Sequence, residues 1–256
     1  MNIHGTYLGA IVLNNQKIFL EYVSKFNCKG KEIKRKIDHS IRVSKLCRSI
    51  AEDLSLSKEI IEVVEFIGLV HDIGRFTQWY EYKTFDDLKS EDHALIGVRV
   101  LFDNNLIDLF NIDRYWYKAI FLAIKNHNQY DISSDTKDLD LVISKILRDA
   151  DKADILYLIK TKELILEEDN SSISRNVSEA FLSNEEIRHT IKMTVSEKIL
   201  LKFGFIYDIN YKWTLNYIKN ECILESIYNG LKYKDKIKKY YIHVNKYLME
   251  ACNGKI

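Results

Sequence analysis

Between residues 36 and 54 the apolar side chains Ile37, Ile41, Val43, Leu46, Cys47, Ile50, Ala51 and Leu54 recur at three- and four-residue intervals. That spacing gathers them on one face of an amphipathic helix. Ser57 is placed to cap a second helix over 58–72, whose sequence KEIIEVVEFIGLVHD is apolar on most sides near its end and so belongs in a core. Gly74 then relaxes the backbone. Ser90, Glu91 and Asp92 read as a cap and acidic first turn for a helix from about 91 to 105. Further helices are expected over 114–127, from Asp138 or Asp140 to about 160, and over about 176–205, 212–230 and 233–252. Strand-like alternation is scarce, so the predicted fold is all-α.

The polar stretch 165–176 (ILEEDNSSISRN) is the best internal boundary. It separates a core of residues 1–165 from a C-terminal helical extension, 166–256, expected to pack on it as one compact unit. The absence of proline permits long helices without demanding them. A formal net charge of +1 supplies no global field to recruit nucleic acid or an anionic membrane. Cys28, Cys47, Cys222 and Cys252 are far apart and form no paired motif, so they read as reduced thiols. No secretion signal is evident at the N-terminus and no apolar run is long enough to span a bilayer. The expected compartment is the cytoplasm.

Candidate chemistry changes this picture. His71-Asp72 ends an apolar helix and is followed by Ile73-Gly74-Arg75. Burying an imidazole and a carboxylate there costs several kcal/mol unless something such as a metal satisfies them. His39 lies upstream in HSIRV and Asp151 downstream in RDADKADIL, each on its own predicted helix. The order H…HD…D, with LVHDIGR in the middle, resembles the HD superfamily of metal-dependent phosphohydrolases over about residues 36–160.

The resemblance implies an HD helical bundle in which His39, His71, Asp72 and Asp151 hold one cation. In two-metal relatives, histidines at the places of His93 (SEDHALIG) and His127 (IKNHNQY) complete a second site with Asp72 as the bridge. Imidazole and carboxylate ligands suit one or two divalent transition ions such as Mn, Fe, Ni, Co or Zn, and not Ca. The implied reaction is hydrolysis of a phosphomonoester or phosphodiester by a metal-bridging hydroxide. Arg75, three residues past Asp72, is a candidate for gripping phosphate, with Lys152 a weaker one. Asp154, one turn past Asp151, is a candidate to orient a ligand histidine. Asn128 stands where many relatives carry a second histidine, a departure that bears on a fuller second site.

The continuation NQYDISS after His127 is unlike that of cyclic-di-GMP hydrolases with a Gly-Tyr-Pro segment. Alarmone hydrolases carry an acidic pair where this chain has Ile73-Gly74-Arg75. Deoxynucleotide triphosphohydrolases commonly carry an arginine shortly before the dipeptide, where this chain has Leu69-Val70. The remaining resemblance is to stand-alone HD hydrolases, whose substrates tend to be nucleotides or other small phosphate esters. The rings of Phe76, Trp79, Tyr80, Tyr82 and Phe85 are candidates either to stack on a base or to pack their loop onto the domain. Those of Phe203, Phe205, Tyr207, Tyr211, Trp213 and Tyr217 are expected in the core or at a homodimer surface. A di-iron oxygenase on the same ligand set and a non-catalytic metal-binding sensor are the alternatives. His4, His189 and His243 lack comparable context.

Overall fold

The computed structural model describes residues 14–26, 30–185, 187, 188, 190 and 192–254. The expectations for His4, Cys28, His189 and the N-terminal signal fall outside these residues. The fold is all-α, and no strand occurs among the described residues. None of their helices is long and apolar enough to cross a membrane. The chain divides into two compact units between Ala150 and Asp151, inside one helix, and the polar stretch 165–176 lies within the second unit.

In the first unit, residues 14–23 are helical (α1). They are followed by α2 (Lys31–Asp53), α3 (Lys58–Val70), α4 (Gly74–Tyr82), α5 (His93–Val98), α6 (Tyr117–Asn126) and the start of α7 (Asp138–Lys160). Helix α2 buries Ile33, His39, Val43, Cys47 and Ile50, so its apolar face carries an imidazole in line with hydrocarbon. Ser57 caps α3 by accepting from the Ile60 amide, as its position predicts. The backbones of α2 and α3 come close at Gly68, where an added Cβ would meet Ser44 Cα at 2.7 Å. Glycine is needed there for close approach, and that approach sets His39 opposite His71.

Three expectations for this unit are corrected. Helix α3 ends at Val70, so His71 and Asp72 lie in a turn that leads directly into α4. Gly74 opens α4, and its role is closeness to a neighbour. A Cβ there would sit 2.1 Å from the His93 carbonyl oxygen and 2.5 Å from the Gly97 nitrogen, both on α5. The helix expected over 91–105 is α-helical only to Val98, after which Arg99–Asp103 widen into a π turn.

The second unit comprises the rest of α7 with α8 (Arg175–Leu182), α9 (Val195–Gly204), α10 (Lys212–Asn220), α11 (Ile223–Gly230) and α12 (Lys234–Cys252). Phe181, Leu200, Phe203, Ile218, Ile223, Val244 and Leu248 form its core. The single helices expected over 176–205 and 212–230 are each broken in two. Asn184 adopts φ 62° just after α8, and Cys222 adopts φ 48° between α10 and α11. A left-handed residue cannot continue a right-handed helix. Thr194 restarts the chain with a capping box, exchanging hydrogen bonds with Glu197.

Candidate metal centre

His39 comes from α2, His71 and Asp72 from the α3–α4 turn, His93 from the first position of α5 and His127 from just past the end of α6. All five are buried, none more than 5% exposed. They meet around the Asp72 carboxylate. Its Oδ1 lies 3.2 Å from His93 Nε2 and 3.8 Å from His127 Nε2. Its Oδ2 lies 3.5 Å from His39 Nε2 and 3.7 Å from His71 Nε2. One carboxylate therefore faces four imidazoles, two on each oxygen, and the His71 and His127 rings meet edge to face at 5.2 Å.

Bonds on the far side of each ring decide what these imidazoles can do. His127 Nδ1 donates to the Ile124 carbonyl (2.6 Å) and His71 Nδ1 to the Gly68 carbonyl (2.8 Å). A carbonyl only accepts, so the proton is on Nδ1, and in the neutral ring the inward Nε2 carries a lone pair. His93 Nδ1 likewise donates to Asp87 Oδ2 at 2.7 Å. His93 Nε2 and His127 Nε2 are nevertheless only 2.9 Å apart, with Asp72 Oδ1 beside them. Three lone-pair atoms at that separation repel one another unless a proton or a cation lies among them. A divalent cation of the transition series satisfies all three, because neutral imidazole and carboxylate are its ordinary ligands. The donor set fits such an ion.

Asp87 was not singled out by the sequence reading. Its Oδ1 accepts from Gln78 Nε2 (2.7 Å) and Arg75 Nη1 (2.8 Å), while its Oδ2 fixes the His93 ring. Burial pushes the Asp87 carboxyl up in pKa, but His93, through hydrogen bond and charge, together with Arg75 and Gln78, outweighs it and carries the group well below the usual carboxylate range. Asp92 caps α5 through the Ala94 amide and accepts from Asn128 Nδ2 at 2.7 Å. Asn128 thus ties the turn bearing His127 to the helix bearing His93.

Arg75 lies beside the cluster and is tied to the loop that follows α4. Its Nη1 donates to Gln78 Oε1 (2.9 Å), the Phe85 carbonyl (2.6 Å) and Asp87 (2.8 Å), and its Nε stands 3.5 Å from Asp72 Oδ1. The guanidinium holds the 83–92 loop against the site. Lys36, also not singled out, donates to Asp72 Oδ2 at 2.6 Å. Burial pushes the Asp72 carboxyl up, but the Lys36 ammonium, followed by His71, His127 and His93, holds it well below the usual range.

Asp151 and Lys152 begin the second unit on α7. Lys152 is buried, pairs with Asp208 and lies 5.6 Å from the Phe205 ring centroid. Asp154 is buried as well. Among the rings after the dipeptide, Phe76 is core, Tyr80 and Tyr82 are exposed, and Trp79 stacks on Phe85 with centroids 4.8 Å apart. A separate cleft of about 300 Å³, lined by Glu59, Glu62, Phe66 and Trp116, contains none of the imidazoles. Convergent ligand chemistry, and not volume, marks the site.

A family model for the HD domain matches residues 37–157. The chain carries an HD domain. HD domains bind divalent metals and form a superfamily of the metal-dependent hydrolase type, and the clustered His and Asp groups of this one are of the kind that holds such an ion. Comparison with curated proteins gave no match, and comparison with solved structures gave none either.

Proposed function

We infer that this HD domain is a phosphohydrolase that cleaves a phosphomonoester or phosphodiester, with a nucleotide as the favoured substrate. The observation that carries the reading is the single buried Asp72 carboxylate set between two imidazole pairs. His93, His127 and Asp72 Oδ1 form one candidate ligand group, and His39, His71 and Asp72 Oδ2 the other. Asp151 is the proposed additional ligand of the second group. On α7, Arg148 donates to the carbonyls of Asn126 (3.1 Å) and Tyr130 (3.2 Å) and so anchors that helix beside the His127 turn.

Bound transition ions lower the pKa of coordinated water and neutralise phosphoryl oxygens. The chain's own groups make that possible in three ways. The Gly68, Ile124 and Asp87 acceptors hold His71, His127 and His93 with Nε2 inward, so the rings need no reorganisation to act as ligands. Burial of the five side chains excludes bulk water and strengthens every charge interaction among them. Arg75 adds positive charge beside Asp72 while it fixes the loop. Lys152, expected from its position to assist phosphate binding, would have to share its ammonium with Asp208.

The test is a phosphate-release screen with the Mn²⁺-loaded protein against nucleotides, simple phosphomonoesters and cyclic dinucleotides. The expected result is turnover of at least one class, abolished by chelation and by Asp72→Ala. A metal-loaded protein that leaves the whole panel intact contradicts the reading.

A further inference from the structure

We propose that Lys36 is the residue that anchors the substrate's phosphate, and that it takes up this role by leaving Asp72 when a cation binds there. The proposal rests on the phosphohydrolase reading and assigns a substrate-binding group to the same site. Lys36 stands three residues before His39 on α2, so the two share a helix face. Its ammonium lies 2.6 Å from Asp72 Oδ2, the oxygen also approached by His39 Nε2 at 3.5 Å and His71 Nε2 at 3.7 Å. A transition ion taken up by those imidazoles would need that same oxygen as a ligand. An ammonium and a divalent cation would repel each other strongly if both took one carboxylate oxygen.

Of the two, the lysine can move. Its side chain is 18% exposed against 3% for Asp72, so it marks the boundary between the buried cluster and solvent. Four rotatable bonds let its tip swing outward. The face of Phe85 is already beside it, with Nζ 5.6 Å from the ring centroid, and an aromatic face supports a cation partly removed from water. A compact ammonium held beside two cation positions suits the remaining oxygens of a bound phosphate group. Arg75, the expected candidate, is tethered by Nη1 to three acceptors in the 75–87 network, while its Nε lies 3.5 Å from Asp72 Oδ1 without a hydrogen-bond partner. Phe85 in turn stacks on Trp79, which leaves an aromatic wall next to the proposed phosphate position.

The experiment is a pair of titrations on the 256-residue wild-type chain, Lys36→Met and Lys36→Arg. The first is Mn²⁺ into metal-stripped protein, and the second is inorganic phosphate into Mn²⁺-loaded protein. Loss of the competing ammonium should make Lys36→Met bind Mn²⁺ roughly tenfold more tightly, and loss of the anchor should weaken its phosphate binding by about tenfold or more. Lys36→Arg should restore phosphate affinity to near wild type, which separates loss of charge from loss of fold. Unchanged phosphate affinity in Lys36→Met overturns the proposal, as does Mn²⁺ binding that is no tighter. A wild type that takes no Mn²⁺ overturns both this proposal and the phosphohydrolase reading. A wild type that binds Mn²⁺ and phosphate but hydrolyses nothing overturns only the latter.

Discussion

Three imidazoles of the cluster, those of His71, His93 and His127, are aimed by a second group, and the most informative of these is Asp87. The Gly68 and Ile124 carbonyls that orient His71 and His127 are backbone atoms of the helices leading into those rings. Asp87 is different, because its side chain alone fixes His93 and is itself held by Arg75 and Gln78. Such outer carboxylates typically contribute about 10–100-fold to metal affinity. Asp87→Ala should therefore weaken Mn²⁺ binding by roughly that factor, read by competition with a fluorescent chelator, with Asp87→Asn intermediate. Equal affinity in wild type and Asp87→Ala would show that the ring needs no such support. Neither Asp87 nor Lys36 stood out in the sequence, for different reasons. Asp86, Asp87, Glu91 and Asp92 form one acidic run before His93, and only the folded loop selects the member that turns inward. Lys36 was masked by Lys31, Lys34 and Arg35, although its three-residue spacing from His39 was a usable signal.

At the level of elements, the site is assembled by close backbone approach at two glycines. Gly68 lets α3 lie on α2 at Ser44, and Gly74 lets α4 lie on α5 at His93 and Gly97. The second contact is the sharper test. Gly74→Ala places a methyl group against backbone atoms at 2.1 and 2.5 Å, so α4 and α5 must part. The expected cost is about 1–3 kcal/mol in denaturant unfolding. Gly97→Ala is the control, because its Cβ would meet its nearest neighbour at 3.5 Å, an ordinary contact. A mid-helix alanine in place of glycine gains up to about 1 kcal/mol in propensity, so this variant should be neutral or slightly stabilised. Equal destabilisation of the two variants would contradict this account of the α4–α5 contact. Hydrophobic periodicity located most helices of the first unit but missed the breaks of the second. A period of three to four residues runs on through Asn184 and Cys222, whose left-handed backbones stop the helix without changing the pattern. The Thr194–Glu197 capping box was a readable restart signal that periodicity alone passed over.

Across the whole molecule, the all-α class and the HD domain were legible because an uncommon set of residues recurs in a fixed order along helices that periodicity can find. The division of the chain was less legible. The polar run 165–176 looks like a boundary, yet the compact units part between Ala150 and Asp151, inside a continuous helix with no change of composition. The claim on which the rest depends is that the Asp72 carboxylate and the imidazoles around it hold divalent cations. Calorimetric titration of Mn²⁺ into the metal-stripped protein, with Asp72→Ala beside it, tests this most directly. The account predicts saturable binding by the wild type, weakened about a hundredfold or more in Asp72→Ala, because that change removes the one ligand common to both imidazole pairs. A wild type that takes up no cation, or an Asp72→Ala variant that binds as tightly as the wild type, would contradict it.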